Sequence, residues 1–204
     1  MYLTQGLHRA VQQRPDEIMT IFGQRRRTFR EAADRVARLA GALRAVGVGD
    51  GDRVAMLSLN SDRYSEYLLA VPWAGAVLNP VNTRWATAEI AYSLRDSDSR
   101  VLLADDAFGP MLPALRAAFP GLATVIHAGD GPAPSGALDY EDLIATAKPV
   151  ADARRGGSEL AGVFYTGGTT GFPKGVMLSH DNLGISCWRR SPSTASPTRC
   201  SCRP

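Results

Sequence analysis

Short apolar runs alternate with segments of helical periodicity along most of this chain, and this alternation constrains its fold more than any other feature. Apolar runs bounded by turn residues lie at 53–59, 76–80, 100–104, 124–127 and 161–166. Helical periodicity covers 3–14, 29–43, 61–74, 86–96, 113–119 and 139–146. Strands that alternate with helices in this way build βαβ units. The sequence therefore predicts an α/β fold with a mainly parallel sheet flanked by helices.

Local signals set several of the predicted boundaries. Thr28 and Glu31 form a capping box, which is typical of the start of a helix. Gly47 predicts the end of that helix. Pro72 predicts a bend or an end in the next one, because proline disrupts the hydrogen bonds of a helix interior.

A hairpin is predicted upstream of the first long helix. A turn at Gly23 separates 19–22 from 27–29. The basic run 25–27 lies at this turn. Three charges do not make a binding patch, so we interpret the run as the solvated edge of the hairpin.

Composition and charge exclude several classes of protein. The chain has 204 residues, enough for one domain or for one domain and part of another. Its 45% apolar and 21% charged residues exclude collagen, coiled coil and wholesale disorder. Residues 184–204 hold four of the 23 basic residues and no acidic one, which leaves 19 basic and 20 acidic residues in 1–183. A nearly neutral body gives no electrostatic reason to expect a nucleic-acid partner.

The last 21 residues differ in composition from the rest. Residues 184–204 contain five serines, four arginines and three prolines, without helical or strand periodicity. They also hold all three cysteines, Cys187, Cys200 and Cys202, so 1–183 has neither a disulfide framework nor thiol chemistry. The cysteine spacing fits no standard zinc pattern, and we predict no metal site. We expect this segment to be unstructured.

The sequence shows no membrane-spanning or export signal. Its longest uncharged apolar stretch, 67–78, is shorter than the roughly 20 residues that cross a bilayer. His8 and Arg9 interrupt the first residues, where a signal peptide would carry an apolar core. A cytoplasmic location is therefore expected.

The stretch most informative about chemistry is a glycine-rich loop directly after the last predicted strand. From Tyr165 to Val176 it reads YTGGTTGFPKGV. Glycines let the backbone approach a ligand closely, and consecutive N–H groups in such a loop bind anions. The threonines add hydroxyl donors, and Lys174, one of only two lysines, adds a mobile positive charge. This combination at the carboxyl end of a strand is typical of a polyphosphate site.

The loop is not the P-loop of the common nucleotide triphosphatases. That pattern requires Gly-Lys followed by Ser or Thr, whereas Lys174 lies between Pro173 and Gly175. Four glycines, three threonines and a lysine at this spacing nevertheless favour a phosphate site over a plain turn.

Residues 165–176 resemble the phosphate-binding signature of the AMP-forming acyl-CoA synthetases and the other adenylate-forming ligases, typically Tyr-Thr-Ser-Gly-Thr-Thr-Gly-X-Pro-Lys-Gly. The resemblance continues through 177–183, which are similar to the strand and helix start after that loop. Upstream, the family's first core strands and the following helix are similar to 47–55, 74–84 and 88–92. The resemblance covers about residues 1–183 and implies the first part of the large N-terminal domain of such a ligase.

The resemblance implies ATP-dependent activation of a small-molecule carboxylic acid. In this family the carboxylate attacks the α-phosphate of ATP, which gives an acyl-adenylate and pyrophosphate, and the thiol of coenzyme A then displaces AMP. ATP, Mg²⁺ and coenzyme A are thus the implied cofactors. The residues implied to hold the phosphates are Thr166, Gly167, Gly168, Thr169, Thr170, Gly171 and Lys174. Many members have serine at the position of Gly167, and a Gly-Gly pair there is familiar in fatty acyl-CoA ligases, so a fatty acid is favoured.

The resemblance also implies that much of the catalytic machinery follows this loop. The adenine contacts, the acidic Mg²⁺ ligand and the catalytic lysine lie downstream in the family, so no residue here is assigned a catalytic role. Lys148 lies upstream of the loop and is not given that role. The chain as given is therefore expected not to complete the reaction. We expect 1–183 to be a partial AMP-binding domain and 184–204 a non-native tail that follows a frameshift or early stop.

Two alternative functions stay open. The chain could be a non-catalytic fragment that binds nucleotide weakly, or that self-associates through apolar surface exposed at an interrupted sheet. It could also be an adenylation domain that loads a carrier protein, although Gly167 argues mildly against this.

Several other side chains in the sequence allow a functional or a structural interpretation, and we favour the structural one. His180 is expected to be a capping or core residue rather than a contact of the acyl site, and acidic pairs are expected to be helix caps or solvated groups. Tyr165 and Phe172 are expected to pack rather than to bind ligand. The acidic residues concerned are Asp96, Asp98, Asp105 and Asp106.

Overall fold

Besides a helical segment at 180–184, the chain has six α-helices and nine strands in the part that the structure, a computed structural model, describes: residues 1–167 and 172–184. The helices are α1 (Gln5–Gln13), α2 (Phe29–Ala45), α3 (Asp62–Trp73), α4 (Thr87–Asp96), α5 (Leu112–Ala118) and α6 (Tyr140–Thr146). The strands are β1 (Ile18–Phe22), β2 (Arg25–Thr28), β3 (Arg53–Leu57), β4 (Val77–Pro80), β5 (Val101–Ala104), β6 (Thr124–His127), β7 (Leu138–Asp139), β8 (Leu160–Thr166) and β9 (Lys174–Ser179).

Seven of these strands form one sheet in the order β7-β6-β5-β3-β4-β8-β9. Every neighbouring pair is parallel except β8 and β9, which are antiparallel. Strands β1 and β2 form a separate antiparallel hairpin. The predicted α/β class with a mainly parallel sheet is confirmed, and so is the hairpin at Gly23.

Helix boundaries follow the local signals in the sequence. The Thr28 hydroxyl accepts a hydrogen bond from the Glu31 N–H at 3.2 Å, and the Glu31 carboxylate accepts one from the Thr28 N–H at 2.8 Å. This is the predicted capping box. Helix α2 ends before Gly47, whose φ of +95° lies in the left-handed region that glycine adopts without strain. Pro72 lies in the last turn of α3, one residue before its end.

Three local features differ from the sequence-based expectation. Strand β3 ends at Leu57 rather than at residue 59, because the Leu59 N–H donates to the Asp105 carboxylate at 2.7 Å instead of to a neighbouring strand. A 3₁₀ helix at Asp106–Met111 was not predicted, and Asp105 caps it by accepting from the Ala107 N–H. The two-residue strand β7 was also missed, because two residues carry no periodicity.

Apolar side chains fill both faces of the sheet. Strand β3 alternates in the expected way: Val54 and Met56 pack toward α2 and α3, whereas Ala55 and Leu57 pack toward α4 and α5. Helices therefore flank the sheet on both sides, as a parallel sheet requires.

A buried cluster of charged side chains joins α2, α3 and α6. Arg35 contacts both Glu66, at 2.6 Å, and Glu141, at 2.8 Å. Arg63 binds Glu141 from the other side at 3.0 Å, and the Tyr140 hydroxyl donates to Glu66 at 2.7 Å. Partial burial alone would raise the pKa of Glu141, but hydrogen bonds from the two arginines outweigh it and the pKa is lowered. Each charge in the cluster thus has a partner, which offsets much of the cost of burial.

The interpretation of the basic run 25–27 as a solvated edge is wrong for its first residue. Arg25 donates to the Asp62 carboxylate at 2.8 Å and to Asp130 at 2.6 Å. It thereby ties the hairpin to α3 and to the loop after β6, a contact across distant parts of the sequence.

We predict that Glu66→Ala lowers the free energy of unfolding by about 3 kcal/mol, because it leaves Arg35 and Tyr140 without their buried partner. Asp34→Ala is the matched control, since it removes an exposed pair with Arg38 on the same helix. Asp34→Ala should lower the free energy of unfolding by less than about 1 kcal/mol. Urea denaturation measures both, and equal losses would contradict a special role for the buried cluster.

Candidate functional site

The glycine-rich loop connects β8 to β9 at the carboxyl end of β8. The two strands are paired so that Thr166, the last residue of β8, lies opposite Lys174, the first residue of β9. Both side chains are exposed, and the Thr166 hydroxyl lies 3.5 Å from the Lys174 carbonyl oxygen. In the described part of the chain, no carboxylate forms an ion pair with the Lys174 ammonium. A hydroxyl group and a positive charge without an ion-pair partner among the described residues therefore lie together at this edge of the sheet.

The structure describes three of the seven predicted phosphate-binding residues and brings them together. Thr166 and Gly167 enter the loop, and Lys174 lies just beyond its other end. The remaining four, Gly168, Thr169, Thr170 and Gly171, lie outside the described residues.

Two glycines of this hairpin have opposite surroundings. Among the described residues, a Cβ at Gly167 would meet no atom within 4 Å. A Cβ at Gly175 would lie 2.9 Å from the Val163 Cγ1 atom and 3.1 Å from the Tyr165 ring. Gly175 is thus required for the close packing of β8 on β9, whereas no described residue crowds Gly167.

The residues that flank the loop contact aromatic and acidic side chains from other elements. The Tyr165 hydroxyl donates to the Asp96 carboxylate at 2.6 Å, and its ring meets Trp85 edge-on. Burial, followed by the hydrogen bond to Asp96, raises the pKa of the Tyr165 phenol well above its usual value, so it remains a proton donor. Phe172 stacks on Tyr92 with ring centroids 4.8 Å apart.

Sequence reasoning identifies Tyr165 and Phe172 as packing residues but does not find their partners. It treats Asp96 only as a solvated or capping acid, and it gives Tyr92 and Trp85 no role. The sequence feature that could have pointed to these partners is the presence of an aromatic residue on each side of the loop. Aromatic side chains bury a large area and therefore pack against other residues.

His180 follows β9 and is almost fully buried, with 2% of its surface exposed. Its Nδ1 atom has no hydrogen-bond partner among the described residues, and burial lowers the pKa of the imidazole. The side chain is therefore a neutral core residue, in agreement with the structural interpretation. Residues 180–184 are helical, and the Ser179 hydroxyl caps them by accepting from the Asn182 N–H at 3.2 Å. The predicted strand and helix start after the loop are confirmed.

The other acidic residues have structural roles. Asp105 caps the 3₁₀ helix, and Asp106 binds His127 at 2.9 Å. Asp98 pairs with Arg53 and Arg100. Within residues 1–167 and 172–184, no group of three His, Cys, Asp or Glu side chains is arranged to hold a metal ion. The three cysteines and the tail from residue 185 onward lie outside the described residues.

Within residues 1–167 and 172–184, none of the helices combines the length and the apolar character needed to cross a bilayer.

We predict that Gly175→Ala lowers the free energy of unfolding by about 1–2 kcal/mol, because the new methyl group would overlap Val163 and Tyr165. Gly167→Ser, at the open position, should leave it unchanged within about 0.5 kcal/mol. Thermal or urea unfolding of both variants measures the difference. A destabilised Gly167→Ser protein with an unaffected Gly175→Ala protein would contradict the described packing of the hairpin.

Comparison with proteins of known sequence identifies related enzymes. The chain is 45% identical over 161 residues to a long-chain-fatty-acid–CoA ligase of Thermus thermophilus, a match that covers 78% of this chain and 29% of that protein. The chain therefore spans less than a third of the length of this relative.

Solved structures share the fold. The anthranilate CoA ligase AuaEII in complex with anthranoyl-AMP superposes with a TM-score of 0.86 at 27% identity, over 92% of this chain and 36% of that one. ATP-bound MatB from Rhodopseudomonas palustris superposes with a TM-score of 0.76 at 31% identity, over 92% and 37% of the two chains.

The family described as AMP-binding enzyme matches residues 7–200, which include the whole hairpin and its loop. With its parallel sheet, the glycine-rich loop at the carboxyl end of β8 and the likeness to AMP-forming CoA ligases, this chain belongs to the AMP-binding enzyme family.

Proposed function

We propose that this chain supplies the phosphate-binding part of an enzyme that uses ATP to activate a carboxylic acid and then transfers it to coenzyme A. The observation that carries the proposal is the pairing of Thr166 with Lys174 across the entrance of the loop. Relatives of the chain include acid–CoA ligases, and one solved relative is bound to ATP.

The hairpin is suited to hold a chain of phosphates. The Lys174 ammonium is a compact charge with three donors on a flexible stem, and it has no competing ion pair in the described residues. The Thr166 hydroxyl adds a neutral donor, and Gly167, which no described residue crowds, lets phosphate oxygens approach the backbone closely. We assign the predicted loop residues Gly168, Thr169, Thr170 and Gly171 to the same site.

The chemistry follows from where charge develops. A carboxylate oxygen of the acid attacks the α-phosphorus of ATP, and the bond from that phosphorus to the bridging oxygen breaks. The electron pair of the broken bond leaves with pyrophosphate, which gains negative charge. Lys174 and the donors of the loop stabilise this charge as it forms, which is the usual source of catalysis in phosphoryl chemistry. The acyl-adenylate then reacts with the thiol of coenzyme A, which displaces AMP.

Mg²⁺ and coenzyme A are part of the proposal but are not assigned to residues of this chain. The described residues contain no cluster of three acidic, His or Cys side chains that would bind a metal ion.

We propose a fatty acid as the substrate and the cytoplasm as the location. The support for the acid is the Gly167-Gly168 pair and the likeness to a long-chain-fatty-acid–CoA ligase. Because the chain spans 29% of that relative, we propose that the complete reaction needs more of the relatives' sequence than these 204 residues. The isolated chain is then a nucleotide-binding module.

We predict that the 204-residue chain binds ATP and that Lys174→Ala raises its dissociation constant at least about tenfold, since a charge-assisted contact is worth about 1.5–3 kcal/mol. Lys148→Ala is the matched control, because it removes the only other lysine and the same charge. Isothermal titration calorimetry measures both. Equal effects of the two substitutions, or no binding by the unaltered chain, would contradict the proposed site.

We further propose that the described part of the chain self-associates through β9. This strand lies at one end of the sheet, and its Val176 and Met177 side chains are exposed by 42% and 67%. Exposed apolar side chains on an edge strand favour pairing with another sheet.

We predict that the sedimentation coefficient of the chain rises with protein concentration, and that Met177→Lys reduces this dependence. Ile21→Lys is the control, because Ile21 is similarly exposed on the β1–β2 hairpin. Analytical ultracentrifugation distinguishes the two. A monomer at all concentrations, or an equal effect of both substitutions, would exclude association through β9.

A further inference from the structure

An aromatic residue on each side of residues 168–171 contacts the same helix. Tyr165, on the β8 side, donates to the last residue of α4, Asp96, at 2.6 Å. Phe172, on the β9 side, stacks on Tyr92 with an interplanar angle of 23°. Tyr92 and Asp96 are four residues apart, so they lie on one face of α4. We call the two contacts the α4 anchors.

The anchors lie at the surface rather than in the apolar core. Asp96 is exposed, and Phe172 retains 67% of its surface exposure despite the stacking. The core residues of α4, including Ile90 and Leu94, face the sheet instead. The apolar packing of α4 on the sheet is therefore made by residues other than the anchors.

The anchors hold the positions from which the phosphate-binding side chains project. Thr166 directly follows Tyr165, and Lys174 follows Phe172 by two residues. A shift of either anchor would move one of these two groups relative to the other. Groups fixed before a ligand arrives lose less conformational freedom on binding, and this strengthens binding.

We propose that Asp96 and Tyr92 are positioning residues for ATP: they fix the two ends of the glycine-rich loop so that Thr166 and Lys174 are preorganised for the phosphates. This inference rests on the proposed function and extends it to α4. Neither residue needs to touch the nucleotide.

Because Asp96 is negatively charged, its removal distinguishes a positioning role from a purely electrostatic one. Removal of a carboxylate near a phosphate site should strengthen ATP binding if only long-range electrostatics matter. The positioning role predicts the opposite sign. Asp96→Ala should weaken ATP binding about five- to tenfold, whereas Asp96→Asn, which retains an acceptor oxygen for Tyr165, should weaken it less.

A double-mutant cycle tests the hydrogen bond itself. Asp96→Ala and Tyr165→Phe should each raise the dissociation constant for ATP. The dissociation constant of the double variant should be no higher than the larger of the two single-variant values. Tyr92→Leu should also weaken binding, whereas Tyr92→Phe retains the stack and should bind normally. Arg95→Ala, an exposed neighbour on α4, is the control for a change of charge on this helix.

A second readout needs no nucleotide. An endoproteinase specific for lysine has two possible sites, and cleavage after Lys148 and cleavage after Lys174 give fragments of different size. Cleavage after Lys174 therefore reports on the hairpin. Asp96→Ala and Tyr92→Leu should accelerate it several-fold, and Arg95→Ala and Tyr92→Phe should not.

The two readouts separate failure of the inference from failure of the proposed function. If the unaltered chain binds ATP and the anchor variants bind it equally well, the positioning role is overturned while the proposed function stands. Losses of affinity in Asp96→Ala and Tyr165→Phe that multiply in the double variant would likewise overturn it. If the unaltered chain does not bind ATP, the proposed function fails and the role in ATP binding fails with it.

Discussion

Thr166 and Lys174 lie opposite each other because β9 pairs with β8 in one particular register, and the candidate site depends on that register. A slip by one residue would turn every side chain of β9 to the other face of the sheet. Gly175 helps to fix the register, because a larger residue there would overlap Val163 and Tyr165. The close packing of this hairpin therefore determines which groups stand at the entrance of the loop.

The rest of the structure provides a rigid base for the hairpin. Strand β8 is paired to β4, which in turn pairs with β3 in the middle of the sheet. On one side of that sheet, the buried cluster around Arg35 joins three helices, and Arg25 adds the β1–β2 hairpin. These charged side chains are distant in sequence, so their contacts fix how the helices and the hairpin are placed relative to one another. The apolar core alone would specify these positions less well.

Local sequence patterns predicted much of this architecture. The helix start at Thr28 and the strand at 124–127 could be located because their signals lie within a few neighbouring residues. The glycine-rich loop was found for the same reason. The contact between Asp96 and Tyr165 could not be found in this way, since 69 residues separate the two and only the folded sheet brings them together. The same holds for Arg25, whose neighbours in sequence suggested a solvated charge.

The central claim is that the phosphates of ATP bind at the β8–β9 hairpin, and selective labelling tests it most directly. A chain labelled with [¹⁵N]lysine gives two backbone amide signals, from Lys148 and Lys174. Addition of ATP should shift the Lys174 signal progressively and saturably while the Lys148 signal stays in place. A saturable shift of Lys148 alone, or no shift of either signal at millimolar ATP, would contradict the assignment of the loop as the phosphate site.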